Sequence, residues 1–200
     1  EFGMVYTREE LAALYATCQK YDLRLFIDGA RLGYGLVSAA CDYDLPFLAK
    51  HCDVFYIGGT KVGAMMGEAV VFSGMKAPKY FFTNVKRHGA LLAKGRMLGI
   101  QFDTLFTDEL YFKISRHAIA MATRIRSIFE KHGIAIAYDS PTNQQFVVLS
   151  PALYEALSQK VAFEIWERKS EHEIICRFVT SWATKEEELD ELDHILQAYA

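Results

Sequence analysis

Hydrophobic residues recur along this chain in blocks that switch between helical and extended spacing. In Tyr6-Thr7-Arg8-Glu9-Glu10, Thr7 is placed as an N-cap with Glu10 three residues later, a reciprocal capping box. Leu11, Leu14, Tyr15 and Cys18 follow at helical spacing, which predicts a helix ending near Tyr21-Asp22. Next comes Leu23 to Asp28, an apolar run that closes on an acid. Its lack of polar alternation predicts a strand buried on both faces, the habit of a parallel sheet covered by helices. Val54-Phe55-Tyr56-Ile57 and Ala69-Val70-Val71-Phe72 repeat the pattern after a turn-rich helical stretch. Helix, strand, helix, strand, strand is an α/β rhythm. Three buried strands make a poor free-standing sheet, and the first arrives only after a helix, so further strands are expected ahead of residue 1.

Beyond Pro78 the spacing turns helical from about Asn84 to His132, with a break around Thr107-Asp108. Leu91, Leu92, Met97, Leu98 and Phe102 line the first part; Ile114, Ile119, Met121, Ile125 and Ile128 line the second. Gly133 is placed as the residue that stops the second helix. Short strands are predicted at Ile134 to Tyr138, Phe146 to Leu149, Phe163 to Glu167 and Ile174 to Ser181. Helices are predicted at Pro151 to Lys160 and Lys185 to Tyr199, the last with Thr184 as N-cap and Glu187 at N3. The expected organisation is therefore residues 1–107 as part of a larger α/β domain with a mainly parallel sheet, and residues 108–200 as a connecting helix and a small α+β domain.

Composition narrows the function classes. The 200 residues are 52% hydrophobic and 24% charged, which excludes disorder and small disulfide scaffolds. A net charge of −3 supplies no basic field for nucleic acid or an anionic membrane surface. No apolar run reaches the roughly 20 residues of a membrane span. The four cysteines are scattered without a close pair, so reduced thiols and a cytoplasmic location are expected. The histidines show no metal-ligand spacing, and no metal is expected.

The chemistry gathers at strand ends. Asp28 lies where the first strand runs out and is followed by Gly29-Ala30-Arg31; Lys61 lies just past the second strand, in Gly58-Gly59-Thr60-Lys61. Ligands of parallel sheets bind outside the carboxyl ends of the strands, so the acid and the amine are placed to face one pocket. A lysine that loses its proton in such a pocket is a nucleophile able to form a Schiff base. Pyridoxal phosphate uses such a lysine, and its ring nitrogen wants a carboxylate to hold its proton. Asp28 fits that need, because a neighbouring anion favours the charged form of the ring nitrogen. Arg31 should emerge near the same rim, where its fork suits a carboxylate or a phosphate. Arg177 lies inside Ile174 to Ser181, projects from an otherwise apolar strand, and is a second candidate clamp for an anion.

Asp28-Gly29-Ala30-Arg31-Leu32, Gly58-Gly59-Thr60-Lys61, Gly67-Glu68-Ala69-Val70-Val71-Phe72 and Arg177-Phe178-Val179-Thr180-Ser181-Trp182 together resemble the pyridoxal-phosphate-dependent low-specificity L-threonine aldolase and β-eliminating lyase family. Order and spacing match over essentially the whole chain. The resemblance implies the aspartate-aminotransferase-like fold, fold type I, with Lys61 as the catalytic Schiff-base lysine. It implies Asp28, Arg31, Thr60 and Lys61 as cofactor-binding residues, and Arg31 and Arg177 as holders of the substrate carboxylate. The implied reaction is retro-aldol cleavage of a β-hydroxy-α-amino acid such as threonine or allo-threonine to glycine and an aldehyde. The implied assembly is a homodimer or homotetramer, its active site completed by a neighbouring subunit and by an N-terminal segment that carries the phosphate cup. Two alternatives stay open: an aminotransferase or β-eliminating lyase acting on another amino acid, and a truncated non-catalytic relative that works by binding protein.

Overall fold

Thr7 starts helix α1 (Arg8–Lys20) as expected: its hydroxyl accepts the Glu10 N–H at 3.2 Å while the Glu10 carboxylate accepts the Thr7 N–H at 2.8 Å. The computed structural model describes residues 2–199 and divides into two units, one made of residues 6–36 and 41–114, the other of residues 2–5, 37–40 and 115–199.

In the first unit, α1 is followed by β1 (Phe26–Ile27), α2 (Leu32–Leu36), α3 (Leu45–Lys50), β2 (Val54–Gly58), β3 (Glu68–Phe72), α4 (Phe81–Arg87) and α5 (Arg96–Phe106). β1 runs parallel to β2, with Phe26 opposite Val54 and Ile27 opposite Phe55; β3 runs antiparallel to β2, with Gly58 opposite Glu68. Leu11, Leu48, Cys52 and Phe55 are buried together, and Ile27, Leu32, Phe47, Ile57 and Val71 pack around them. Asp53 is buried just before β2 and accepts the Leu25 N–H at 2.8 Å, which fixes the start of β1 against that of β2.

Two sequence expectations need correction here. The run from Leu23 to Asp28 is not a strand buried on both faces: only Phe26 and Ile27 pair, and Leu23 and Phe26 are both 57% exposed. Among the described residues β1 is the edge of the three-stranded sheet and has a neighbour on one side alone. The helical region after Pro78 begins earlier, at Phe81, and is cut once more than predicted, since Gly89 takes a left-handed backbone (φ 72°) and closes α4. The predicted break at Thr107-Asp108 is present, with Asp108 and Glu109 at positive φ.

The second unit contains most of α6 (Leu110–Lys131), then β4 (Ile136–Tyr138), β5 (Gln144–Leu149), α7 (Pro151–Ser158), β6 (Glu164–Arg168), β7 (Ile174–Val179) and α8 (Glu186–Gln197). Its strands form an antiparallel sheet in the order β4-β5-β7-β6. Alternate residues Ile174, Cys176 and Phe178 face the helices, meeting Ile125 and Phe129 of α6, Leu157 of α7, and Leu189, Leu192 and Leu196 of α8. Phe2, Tyr138, Phe146 and Trp166 make an aromatic cluster, Phe146 being fully buried within it. Gly133 ends α6 at φ 69°, as read from the sequence. The cap of α8 falls one residue later than predicted: Lys185 is the N-cap, and its N–H is accepted by Glu188 at 3.0 Å. Thr184 is committed elsewhere, its hydroxyl accepting the Ser181 N–H and its carbonyl bonding His117. No helix among the described residues is long and apolar enough to cross a membrane.

Beyond the last paired residues of β1 and β2, the two chains stay together through Gly58 N–H donating to the Gly29 carbonyl at 2.9 Å. A Cβ at Gly29 would sit 1.7 Å from the Tyr56 carbonyl oxygen, whereas one at Gly35, inside α2, would meet nothing within 4 Å. Gly29→Ala should therefore lower stability by more than about 3 kcal/mol, and Gly35→Ala should raise it by ~0.5–1 kcal/mol through helix propensity. Urea unfolding of the two variants checks this; equal small effects would mean that close approach does not hold the pair.

Candidate active site

Asp28 opens the turn that follows β1. Its Oδ1 accepts the Ala30 N–H at 3.0 Å, an Asx-type turn that leads into α2, and it also accepts the phenol of Tyr56, which projects from the neighbouring β2. Asp28 itself is exposed. The Tyr56 hydroxyl, then the Ala30 N–H, and further the charge of Lys61 hold its carboxyl below the ordinary 3.8, so it is an anion at neutral pH. Burial, followed by the Asp28 carboxylate, pushes the Tyr56 phenol up to about 12.

Lys61 lies in the turn between β2 and β3, and that turn is bonded at nearly every residue. The Gly59 N–H donates to Glu68 Oε2 at 2.6 Å, and the Thr60 hydroxyl donates to Glu68 Oε1 at 2.8 Å. The Gly58 carbonyl accepts the Tyr111 hydroxyl at 2.9 Å, and the same oxygen of Tyr111 accepts the Gly33 N–H at 3.1 Å. The Lys61 carbonyl accepts the Tyr34 hydroxyl, and Val62 is fully buried beside it. These contacts fix the backbone on both sides of Lys61, while its side chain is exposed. Among the described residues its ammonium makes no hydrogen bond or ion pair. The charge of Lys61 is a lesser influence that also lowers the pKa of the Asp28 carboxyl.

Arg31 follows the Asp28 turn, partly buried, and its carbonyl accepts the Gly35 N–H at 3.1 Å. Asp28, Arg31, Thr60 and Lys61 thus belong to one unit, on two adjacent strand ends. Arg177 belongs to the other, in the middle of β7, where it donates to Gln144 at 2.9 Å and pairs with Glu164. Reading the sequence did not single out Tyr56, Glu68, Tyr34 or Tyr111. Glu68 carries a signal, an acid opening an apolar strand; the tyrosines carry none in the sequence, and only their hydroxyl partners distinguish them. No group of three or more His, Cys, Asp or Glu is placed to hold a metal ion among the described residues.

The model of the β-eliminating lyase family matches residues 1–152. The chain belongs to that family. It is 30% identical over 193 residues, 96% of this chain, to a low-specificity L-threonine aldolase of Pseudomonas sp. strain NCIMB 10558, and 29% identical to one of Pseudomonas aeruginosa. The chain spans 55% of the length of these relatives. A solved threonine aldolase of Leishmania major superposes with a TM-score of 0.96 at 37% identity, covering all of this chain and 58% of that one. A serine palmitoyltransferase of Sphingomonas wittichii shares the fold at 12% identity, with a TM-score of 0.65. These likenesses give the chain a mixed α/β fold of type I, in a family that uses pyridoxal phosphate.

Because the folded Asp28 carboxyl titrates below its ordinary value, what it adds to stability is complete above pH 3.8 and is lost as pH falls through the folded pKa. Tyr56→Phe removes the largest cause and should move that titration back up, read by NMR of the Asp28 carboxyl carbon. An unmoved titration would show that Tyr56 does not set the charge of Asp28.

Proposed function

We propose that this chain carries the amine and acid side of a pyridoxal-phosphate site whose reaction is retro-aldol cleavage of a β-hydroxy-α-amino acid, such as threonine, to glycine and an aldehyde. The observation that supports the proposal is the placement of Asp28, kept anionic, and Lys61 just beyond the ends of two adjacent parallel strands. The donor set suits the cofactor: a primary amine for its aldehyde carbon, a carboxylate for its ring nitrogen, and backbone that approaches closely at Gly29 and Gly58.

When bound, pyridoxal phosphate supplies a sink for the electron pair released as the Cα–Cβ bond breaks. Lys61 would hold it through Nζ, on a backbone fixed by Glu68, Tyr34 and Tyr111. Asp28 would keep a proton on the ring nitrogen, a task that needs a carboxylate charged at working pH, and Tyr56 keeps it so. Thr60, its hydroxyl held by Glu68, would bind the cofactor beside Lys61. Arg31 and Arg177 would bind the substrate carboxylate as forked donors and so orient the bond to be broken, an effect on the barrier through positioning. The chain would work as a homodimer or homotetramer, its site completed by residues outside it.

Two other readings remain testable. Aminotransfer or β-elimination would use the same acid, amine and arginines, since fold and cofactor do not choose the reaction; a non-catalytic relative would bind no cofactor. With pyridoxal phosphate added, the parent chain should develop a yellow absorbance that borohydride discharges, and Lys61→Ala should lose both. Glycine formed from threonine without a keto acid then favours the aldolase over an aminotransferase. Equal absorbance in Lys61→Ala would remove the lysine from its role.

A further inference from the structure

We infer that Glu164 is a displaceable occupant of the anion site on Arg177, holding the place that a ligand carboxylate takes. The inference rests on the reading of Arg177 as a carboxylate clamp and adds what competes for it. Arg177 faces Phe146 across one strand pair and Glu164 across the other. Its guanidinium has three neighbours of unequal kind. Nη1 donates to Gln144 Oε1 at 2.9 Å, and the guanidinium carbon lies 5.1 Å from the ring centre of Trp166. Nη2 donates to Glu164 Oε2.

The burial of these partners separates them. Gln144 is buried and Trp166 partly so, whereas the Glu164 side chain is 63% exposed on the edge strand β6. The Arg177 side chain is 17% exposed, and its Nε is buried without a hydrogen-bond partner among the described residues. One flank of the fork is thus set rigidly by the protein, and the other is filled by a carboxylate that reaches in from solvent. A guanidinium prefers to bind a carboxylate through two parallel N–H donors, and Glu164 and a ligand carboxylate offer it the same chemistry. An ion pair with a well-exposed partner contributes little, so displacing it costs little. With Glu164 displaced, Gln144 and Trp166 still hold the guanidinium in place. Glu164 thereby sets how strongly the site favours a carboxylate: it spares Arg177 from an unpaired charge without a ligand and lowers affinity for every anion that arrives.

Trp166 reports directly on this exchange. The chain has two tryptophans, Trp166 and Trp182, so a Trp182→Phe background leaves one emitter beside Arg177. Sodium acetate is titrated into the chain against sodium chloride of equal ionic strength, and Trp166 emission is followed. The expected result is a saturable response whose Kd is about fivefold lower in Glu164→Gln and in Glu164→Ala, equivalent to ~1 kcal/mol, and which disappears in Arg177→Gln and Arg177→Lys. Matching urea midpoints confirm that each variant is folded. Equal Kd values in the parent and both Glu164 variants, with the response still dependent on Arg177, would overturn the inference and leave the clamp standing. No Arg177-dependent response in any variant would overturn the clamp itself, and the inference with it.

Discussion

The candidate site depends on one contact, the approach of two backbone turns at Gly29 and Gly58. A parallel strand pair brings its ends to the same edge of the sheet, yet side chains normally hold the following turns apart. Here neither residue has a Cβ: one at Gly58 would sit 2.3 Å from the Ala30 carbonyl oxygen, and one at Gly29 even closer to that of Tyr56. Removing both lets the Gly58 N–H reach the Gly29 carbonyl. Asp28 and Lys61, each within three residues of this contact, inherit their separation from it. Tyr111 then ties the same Gly58 to the first turn of α2, so the segment carrying Arg31 is referenced to the same point.

Electrostatics divides the labour between the two turns. Around Asp28 the bonds fall on the functional group: Tyr56 and Ala30 both donate to Oδ1 and stabilise the charge. Around Lys61 they fall on the backbone and on Thr60. The acid is thus tuned by its neighbours, whereas the amine is positioned and then left to be tuned by whatever binds. That contrast suits their proposed tasks, since a carboxylate must be charged before a ligand arrives, while a nucleophilic amine needs a desolvated setting that only a filled site provides.

What the sequence reveals and conceals follows the same division. Features set by local pattern are legible: the Thr7 capping box, the break before α6, the stop at Gly133, and the positions of Asp28 and Lys61 at strand ends. The apolar run at Leu23 to Asp28 misleads because apolarity does not record how many neighbours a strand has; among the described residues β1 pairs with β2 alone, and its other edge is open. The cap of α8 shifts by one residue because the Thr184 hydroxyl is already taken by the Ser181 N–H of the preceding turn, while its carbonyl bonds the distant His117. Tyr34, Tyr56 and Tyr111 are illegible for a related reason. A tyrosine in an apolar stretch reads as ring, and what matters here is the oxygen, whose partner lies dozens of residues away.

At Arg177 the proposed functional reading and a structural one are compatible. A guanidinium within an apolar strand needs an anion nearby, and the sheet supplies one directly across the strand pair in Glu164. Were that pair buried on both sides it would be a fixed part of the fold, costly to open and useless as a receptor. The asymmetry decides otherwise: Gln144 and Trp166 fix the guanidinium from within, so its orientation does not depend on Glu164, and the exposed partner can leave without unfolding its surroundings. A protein that must keep an arginine ready for a carboxylate can thus supply a temporary one, provided that it places the substitute on an edge strand where solvent takes it back.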